Sequence, residues 1–298
     1  NARDIEVRRQ DKLWNRVSLL AKGLRTVKTR RSLDRIVMWG DSMVATGGLN
    51  TAIAGLVAPR TFTGISYPGA QSHQIQAMIQ KEVRGADAYR GWLHAFFHGT
   101  NNLNDAAQVR ASALAMADLA GARDNRIVWL SVIGQLVVTW NGSRFEAIQH
   151  ESAFQGWGGI WELEQWYEAA FPGCLLNARQ ALIDGAPTIP SLQFPGLTEA
   201  QAASTYGVLP LSFFINLAAK PWTPSALTFR GYWSSAGLPI GGTDGDYWLR
   251  TGNGFVGAVL VRWGGTWTEH TYDVTHLTPA GNAVLAQAFA DFLTDNSL

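Results

Sequence analysis

The chain has 298 residues, 47% of them apolar and 16% charged, which is enough apolar matter for a large core and excludes a disordered polar chain. A formal net charge of +1 gives no whole-chain reason for a polyanionic partner, and a lone cysteine, Cys174, excludes both an internal disulfide and a multi-thiolate metal site. The unusual figure is 13 Trp, because an indole needs a core, a flat partner or a ligand to cover it.

The charge is unevenly spread. Residues 1–35 hold 11 of the 24 Lys/Arg and 4 of the 23 Asp/Glu, so a basic leader precedes a mildly acidic body. In the leader Leu13, Val17, Leu20, Leu24 and Val27 alternate in steps of four and three, which puts them on one stripe of a helix within residues 1–34. Two heptads are short for a coiled coil, so the stripe is expected to dock on the body, with a homo-oligomer through this helix as the alternative. No apolar run approaches the roughly 18 residues that span a bilayer, and no signal-peptide pattern opens the chain. A soluble protein is expected, with extracellular and virion-associated settings both open.

From residue 35 short apolar runs alternate with helical stretches, the pattern of a parallel sheet flanked by helices. Residues 36–39 read as a first strand, and a second follows Thr61 and ends near Tyr67-Pro68-Gly69. Ser72 is a good N-cap for a helix carrying Ile75, Met78 and Ile79. Strands at 92–97 and 127–133 enclose a helix at 106–120, and further helices are expected at 161–170, 178–183 and 280–293. Between 188 and 271 the chain turns rich in Pro, Gly and aromatics, and its last third alternates like strands, so small Trp-rich hairpins inserted before the final helix are expected. The predicted organisation is a catalytic body at 35–187 and 272–298, interrupted by a β-rich subdomain at 188–271.

Chemistry-bearing residues fall where the strands end. Gly40-Asp41-Ser42 is a strand-to-helix junction that leaves a hydroxyl at the carboxyl edge of the sheet, which suits a nucleophile and equally a simple helix cap. A serine needs an imidazole to take its proton and a third group to orient that imidazole. In Tyr272-Asp273-Val274-Thr275-His276 one short turn before the last helix carries both, with Asp273 orienting His276. Two further strand ends offer donors for a developing oxyanion: the backbone of Gly69, and the Asn101 side chain in His98-Gly99-Thr100-Asn101-Asn102.

With these four blocks in this order, the sequence resembles the SGNH or GDSL hydrolases, named for the Ser, Gly, Asn and His of the blocks. The resemblance runs from Gly40-Asp41-Ser42 to the segment closing at Gly281 and covers the body outside the 188–271 region. It implies a three-layer, flavodoxin-like α/β domain with a parallel sheet. It also implies Ser42 as nucleophile, His276 as general base, Asp273 as its orienter, and an oxyanion hole from the N–H groups of Ser42 and Gly69 with the Asn101 amide. No metal or cofactor is called for. Met43 stands where Leu is usual, a volume-conserving change. Asn102 stands where Asp is common, which puts the supporting hydrogen bonds of that loop in question.

The family spans many esters, so the substrate has to be argued from the aromatic region. Trp222, Trp233, Trp248, Trp263 and Trp267 offer flat faces that suit sugar rings, and no long apolar lid suggests a lipase. A short-acyl O-deacetylase acting on a glycan or another acylated small molecule is the expectation. Gly-Asp-Tyr-Trp and Arg-Trp-Gly-Gly-Thr-Trp also resemble modules of phage tail proteins, which points to a bacterial surface glycan. A glycan-binding module with weak or no catalysis, a lipid or aryl esterase, and an acyltransferase on the same serine are the alternatives. Nucleic acid is not an expected partner, because the tryptophans and the basic cluster are far apart in sequence. His94 and His98 are poor metal ligands as a pair, since four residues on a strand span about 13 Å. Asp244 and Asp246 read as a turn, and Asn141-Gly142-Ser143 as a glycosylation sequon.

Overall fold

A computed structural model describes residues 34–45, 48–86, 89, 91–102, 105–120, 127–133, 138–140, 145–147, 159–235, 237–251, 258–270 and 276–298. The leader helix, Asp273 and the sequon at Asn141 lie outside these residues. In chain order the elements are β1 (Arg35–Gly40), α1 (Ser42–Ala45), α2 (Leu49–Leu56), β2 (Thr61–Ser66), α3 (Ser72–Ala86), β3 (Leu93–Phe97), α4 (Ala106–Leu119), β4 (Ile127–Leu130), β5 (Val138–Trp140), β6 (Phe145–Ala147) and α5 (Gly159–Ala170). They continue with β7 (Leu175–Leu176), α6 (Ala178–Asp184), α7 (Glu199–Tyr206), β8 (Thr228–Trp233), β9 (Asp246–Arg250), β10 (Val259–Trp263), β11 (Thr266–His270) and α8 (Pro279–Asp295). Two compact units result: residues 1–133, 155–178 and 286–298 in the first, 134–154 and 179–285 in the second.

The first unit carries a five-stranded, wholly parallel sheet in the order β2-β1-β3-β4-β7. Its central strands are buried on both faces, as the unbroken apolar runs Ile36 to Trp39 and Leu93 to Phe97 require. Aromatic rings fill the space beside them: Phe96 stacks on Trp129 at 4.5 Å, and Trp129 packs against Tyr167 and Phe171 at 5.2 and 5.1 Å. Helix α3 packs along α4, and α4 against α5. Asp105 caps α4 by accepting the Gln108 N–H at 2.8 Å. This is the α/β class expected, and the strand order reverses between β1 and β3, the switch point at which such sheets hold ligands.

The second unit holds a separate sheet in the order β11-β10-β9-β8 and the short β5-β6 hairpin. Here the expectation of simple hairpins needs correction. β9, β10 and β11 are antiparallel neighbours, but β8 runs parallel to β9 with a bulge between Phe229 and Gly231. The 12 residues between Trp233 and Asp246 are long enough to return the chain to the same end of the sheet, which a tight turn cannot do. Helix α7, in the first third of the 188–271 segment, was not expected; a complete capping box of Thr198 and Gln201 starts it, and Gly207 ends it in the left-handed conformation.

The tryptophans of this unit divide by burial. Trp222 is 3% exposed and meets His270 edge-on at 5.2 Å, so it is core. Trp233, Trp248, Trp263 and Trp267 are half-buried. The indole N–H of Trp233 donates to the Gly237 carbonyl at 2.7 Å and that of Trp267 to the Gly241 carbonyl at 2.8 Å, tying the loop after β8 to both rings. Arg250 adds bonds to the Ser235 and Gly237 carbonyls.

Candidate active site

β1, β2 and β3 are neighbours that end in register, Gly40 lying opposite Ser66 on one side and Phe97 on the other. The chain beyond each therefore emerges at the same edge. Ser42 follows Gly40 by two residues, Gly69 follows Ser66 by three, and Asn101 follows Phe97 by four. The structure brings these three expected site residues to adjacent carboxyl ends of one sheet.

Local chemistry holds each of them. A Cβ at Gly40 would lie 2.4 Å from the Phe97 carbonyl oxygen and 2.3 Å from Val44, so only glycine lets β1 turn this close to β3. Asp41 is fully buried and its Oδ1 accepts the Met43 N–H at 2.9 Å, which fixes the turn that makes the half-buried Ser42 the first residue of α1. Met43 is 1% exposed and fills the core position that Leu was expected to take. Beside it the Tyr67 N–H donates to the Gly40 carbonyl at 2.8 Å, drawing the loop after β2 toward the same junction. Gly69 in that loop is exposed, with φ 75°.

Asn101 is half-buried and its amide donates to the Ala70 carbonyl at 3.1 Å, so the loops after β2 and β3 are joined through that side chain. Behind it lies a buried set of hydrogen bonds that composition and motif spacing did not reveal. Asn102 Oδ1 accepts the Ser72 backbone N–H at 2.7 Å and the Ser72 hydroxyl at 2.8 Å. Ser72 Oγ lies 2.8 Å from His98 Nδ1, and the Tyr167 hydroxyl lies 3.2 Å from His98 Nε2. The doubt raised by Asn102 thus resolves: its carbonyl oxygen caps α3 as a carboxylate oxygen would. The only signal for His98 was its place directly before Gly99, and nothing local marks Tyr167 as its partner.

Burial disfavours the charged form of His94 on β3 and of His98 directly after it. Burial pushes His98 down to about 3 and His94 down to about 4, the latter against an opposing hydrogen bond to the Tyr89 carbonyl. Trp39 Nε1–H donates to His94 Nδ1 at 3.1 Å, so the His94 proton sits on Nε2 and donates to Tyr89 O at 3.1 Å. Among the described residues no cluster of three or more His, Cys, Asp or Glu is placed to hold a metal ion, and no helix is long and apolar enough to cross a membrane.

His276 belongs to the second unit, in the segment leading into α8. Two residues on, Thr278 anchors that segment: its N–H donates to Phe213 O at 2.7 Å and its hydroxyl to Ser212 O at 3.1 Å. Ser212 in turn donates its N–H to Glu199 at 3.0 Å and its hydroxyl to the same carboxylate. Glu199 is 3% exposed, and burial pushes it up to about 7 against the hydrogen bonds from Ser212. Gly281 completes the contact, since a Cβ there would meet Phe213 at 2.9 Å. Asp273 lies outside the described residues.

No protein-family model and no curated protein sequence matches the chain. Solved structures do. A GDSL-like lipase from Bacteroides thetaiotaomicron aligns at a TM-score of 0.37 and 15% identity over 64% of this chain and 90% of its own. A member of the lipolytic G-D-S-L family from Veillonella parvula gives 0.39 and 15% over 58% and 98%, and the lipase/acylhydrolase from Enterococcus faecalis 0.38 and 18% over 57% and 88%. At such identities and scores the likeness says nothing of activity, which has to be read from the residues.

Proposed function

We propose that the protein is a serine esterase of the SGNH type that removes short acyl groups. The observation that carries this reading is that Ser42, Gly69 and Asn101 follow the carboxyl ends of three neighbouring strands, with the Asn101 amide bonded to Ala70. A hydroxyl and two sets of N–H donors at one sheet edge supply a nucleophile and a place for negative charge to develop. The Asn101 amide has two N–H groups; the bond to Ala70 orients it, and the other is the one assigned to the oxyanion.

In the proposed reaction Ser42 Oγ attacks the ester carbonyl while His276, oriented by Asp273, takes the hydroxyl proton. The carbonyl oxygen gains negative charge against the N–H groups of Ser42 and Gly69 and the Asn101 amide. Collapse breaks the bond to the alcohol, which leaves with the proton from His276, and water then releases the acid by the same steps. The roles of His276 and Asp273 come from their sequence block.

The substrate class proposed is an O-acetylated glycan, for which the half-buried faces of Trp233, Trp248, Trp263 and Trp267 are the support. The aromatic segment 188–271 would be the inserted subdomain that selects it. Two measurements test the proposal. Ser42→Ala should reduce hydrolysis of a chromogenic acetyl ester at least about 1,000-fold with an unchanged melting temperature, and a tenth of the rate surviving overturns the nucleophile assignment. Acetate should be released from acetylated polysaccharide faster than octanoate from lipid esters, and the reverse preference removes the glycan assignment.

A further inference from the structure

The oxyanion role given to Asn101 depends on where its amide is held, and that hold reaches far behind the loop. We infer that Tyr167, His98 and Ser72 are positioning residues, an uncharged chain of hydrogen bonds from helix α5 to Asn102 that sets the Asn101 amide. The inference rests on the esterase reading for its consequence in catalysis, and on the hydrogen bonds alone for its existence.

The direction of the chain follows from donors and acceptors. The Ser72 N–H can only donate, so the Asn102 atom 2.7 Å away is the carbonyl oxygen. The Ser72 hydroxyl donates its single proton to the same oxygen at 2.8 Å. Toward His98 it can therefore only accept, which places the imidazole proton on Nδ1. Nε2 is left as an acceptor and receives the Tyr167 hydroxyl at 3.2 Å. Each donor meets an acceptor, and no member carries charge.

Burial makes this arrangement costly to disturb. Ser72 is fully buried, His98 and Tyr167 are each 2% exposed and Asn102 is 8% exposed. A polar group left unpaired at such depth loses its water without replacement. His98 pushed down to about 3 and Tyr167 pushed up by burial keep one protonation pattern across neutral pH. Asn102 accepts both bonds from Ser72 through a neutral oxygen, so the chain ends without a charge.

The doubly bonded pair Ser72–Asn102 brackets the Asn101–Ala70 bond, with Ser72 two residues after Ala70 and Asn102 one after Asn101. The Asn102 N–H to Gly99 O at 3.0 Å and the Asp105 N–H to Asn102 O at 2.9 Å fix the turn around it. Withdrawing His98 frees Ser72 to rotate and loosens the bracket from behind.

The test uses the full chain labelled with ¹⁵N. Imidazole nitrogen signals should show His98 as the Nδ1–H tautomer without titration from pH 5 to 8; an Nε2–H tautomer, or a midpoint within that range, overturns the chain. His98→Leu should shift the Asn101 side-chain amide signal and lower kcat on a chromogenic acetyl ester about 10- to 100-fold, with KM within about twofold. His98→Asn, which keeps an N–H to donate to Ser72, should recover kcat to within about threefold of the parent. Tyr167→Phe removes one hydroxyl only and should move the same amide signal with a smaller loss of kcat, which keeps the test valid if His98→Leu does not fold. If the parent chain lacks esterase activity the functional proposal fails, and the Asn101 signal still decides: unmoved in the folded variants, it overturns the positioning role.

Discussion

At the carboxyl end of the five-stranded sheet, the backbone turns out of three neighbouring strands and presents a hydroxyl, an exposed glycine and a carboxamide within a few residues of each strand end. On the four-stranded sheet the prominent side chains are indoles, and two of them spend their N–H groups on the carbonyls of a single loop. The first region gathers polar groups at one sheet edge, supported by buried bonds from behind. The second uses its polar atoms on itself and leaves only ring surface over. Polar side chains at strand ends are thus the better guide to chemistry, and abundant tryptophan is first of all a packing device that can also offer faces to a ligand.

After removal of Ser42 itself, the largest effect expected is that of Asn101→Ala, which should lower kcat about 100- to 1,000-fold with little change in KM. In the same assay Trp248→Ala should leave turnover of a small acetyl ester within about threefold while costing about 2 kcal/mol of stability in urea unfolding. If the tryptophan variant loses turnover as the asparagine variant does, the division between the two regions collapses. A preference for acetylated polysaccharide that disappears in Trp248→Ala would sharpen it, by giving the rings the substrate and the strand ends the reaction.

The brace behind the His276 segment predicts a pH effect on stability. Glu199 has its pKa raised to about 7 in the folded chain, chiefly by burial, so the native state binds a proton that the unfolded state releases between about pH 4.5 and 7. Its contribution is fully present below that window and is lost as pH rises through it, by about 3 kcal/mol. Glu199→Gln should match the parent near pH 4.5, exceed it at pH 8, and show a flatter profile in denaturant unfolding. A parent whose stability is constant between pH 5 and 8 would contradict this. The smallest effect expected is that of Trp267→Phe, which removes one N–H to Gly241 and should cost about 1 kcal/mol in the same unfolding assay, with esterase turnover unchanged.

The parallel strands and their helices were legible in the sequence because their signals are local. An unbroken apolar run such as Leu93 to Phe97 fits a strand covered on both faces, and a helix does start at Ser72, though as its first residue and not its cap, because the Ser72 hydroxyl is spent on Asn102 and His98. Strand β4 proved shorter than expected: it ends at Leu130, after which the Ser131 N–H still donates to Leu176 O at 3.0 Å and the Ser131 hydroxyl turns to accept the Ala178 N–H at 2.9 Å. The helix after Gly40-Asp41 was expected, whereas α2, the β5-β6 hairpin, β7 and α7 were missed, each being too brief to build a periodicity. The parallel pairing of β8 with β9 was missed for another reason, since alternation reveals a strand and not its neighbour's direction.

For the site, sequence alone determined which residue types stand at which junctions: a serine after Gly40-Asp41, a glycine and an asparagine after the next two strands, and a histidine before the last helix. These are short-range facts, fixed by turn geometry and capping. Tertiary structure decided what holds them. His98 reaches Ser72 across 26 residues and Tyr167 across 69, and Ser72 reaches Asn102 across 30. A buried hydrogen bond is set by distance and by the absence of competing water, neither of which leaves a trace in the spacing of residues so far apart along the chain.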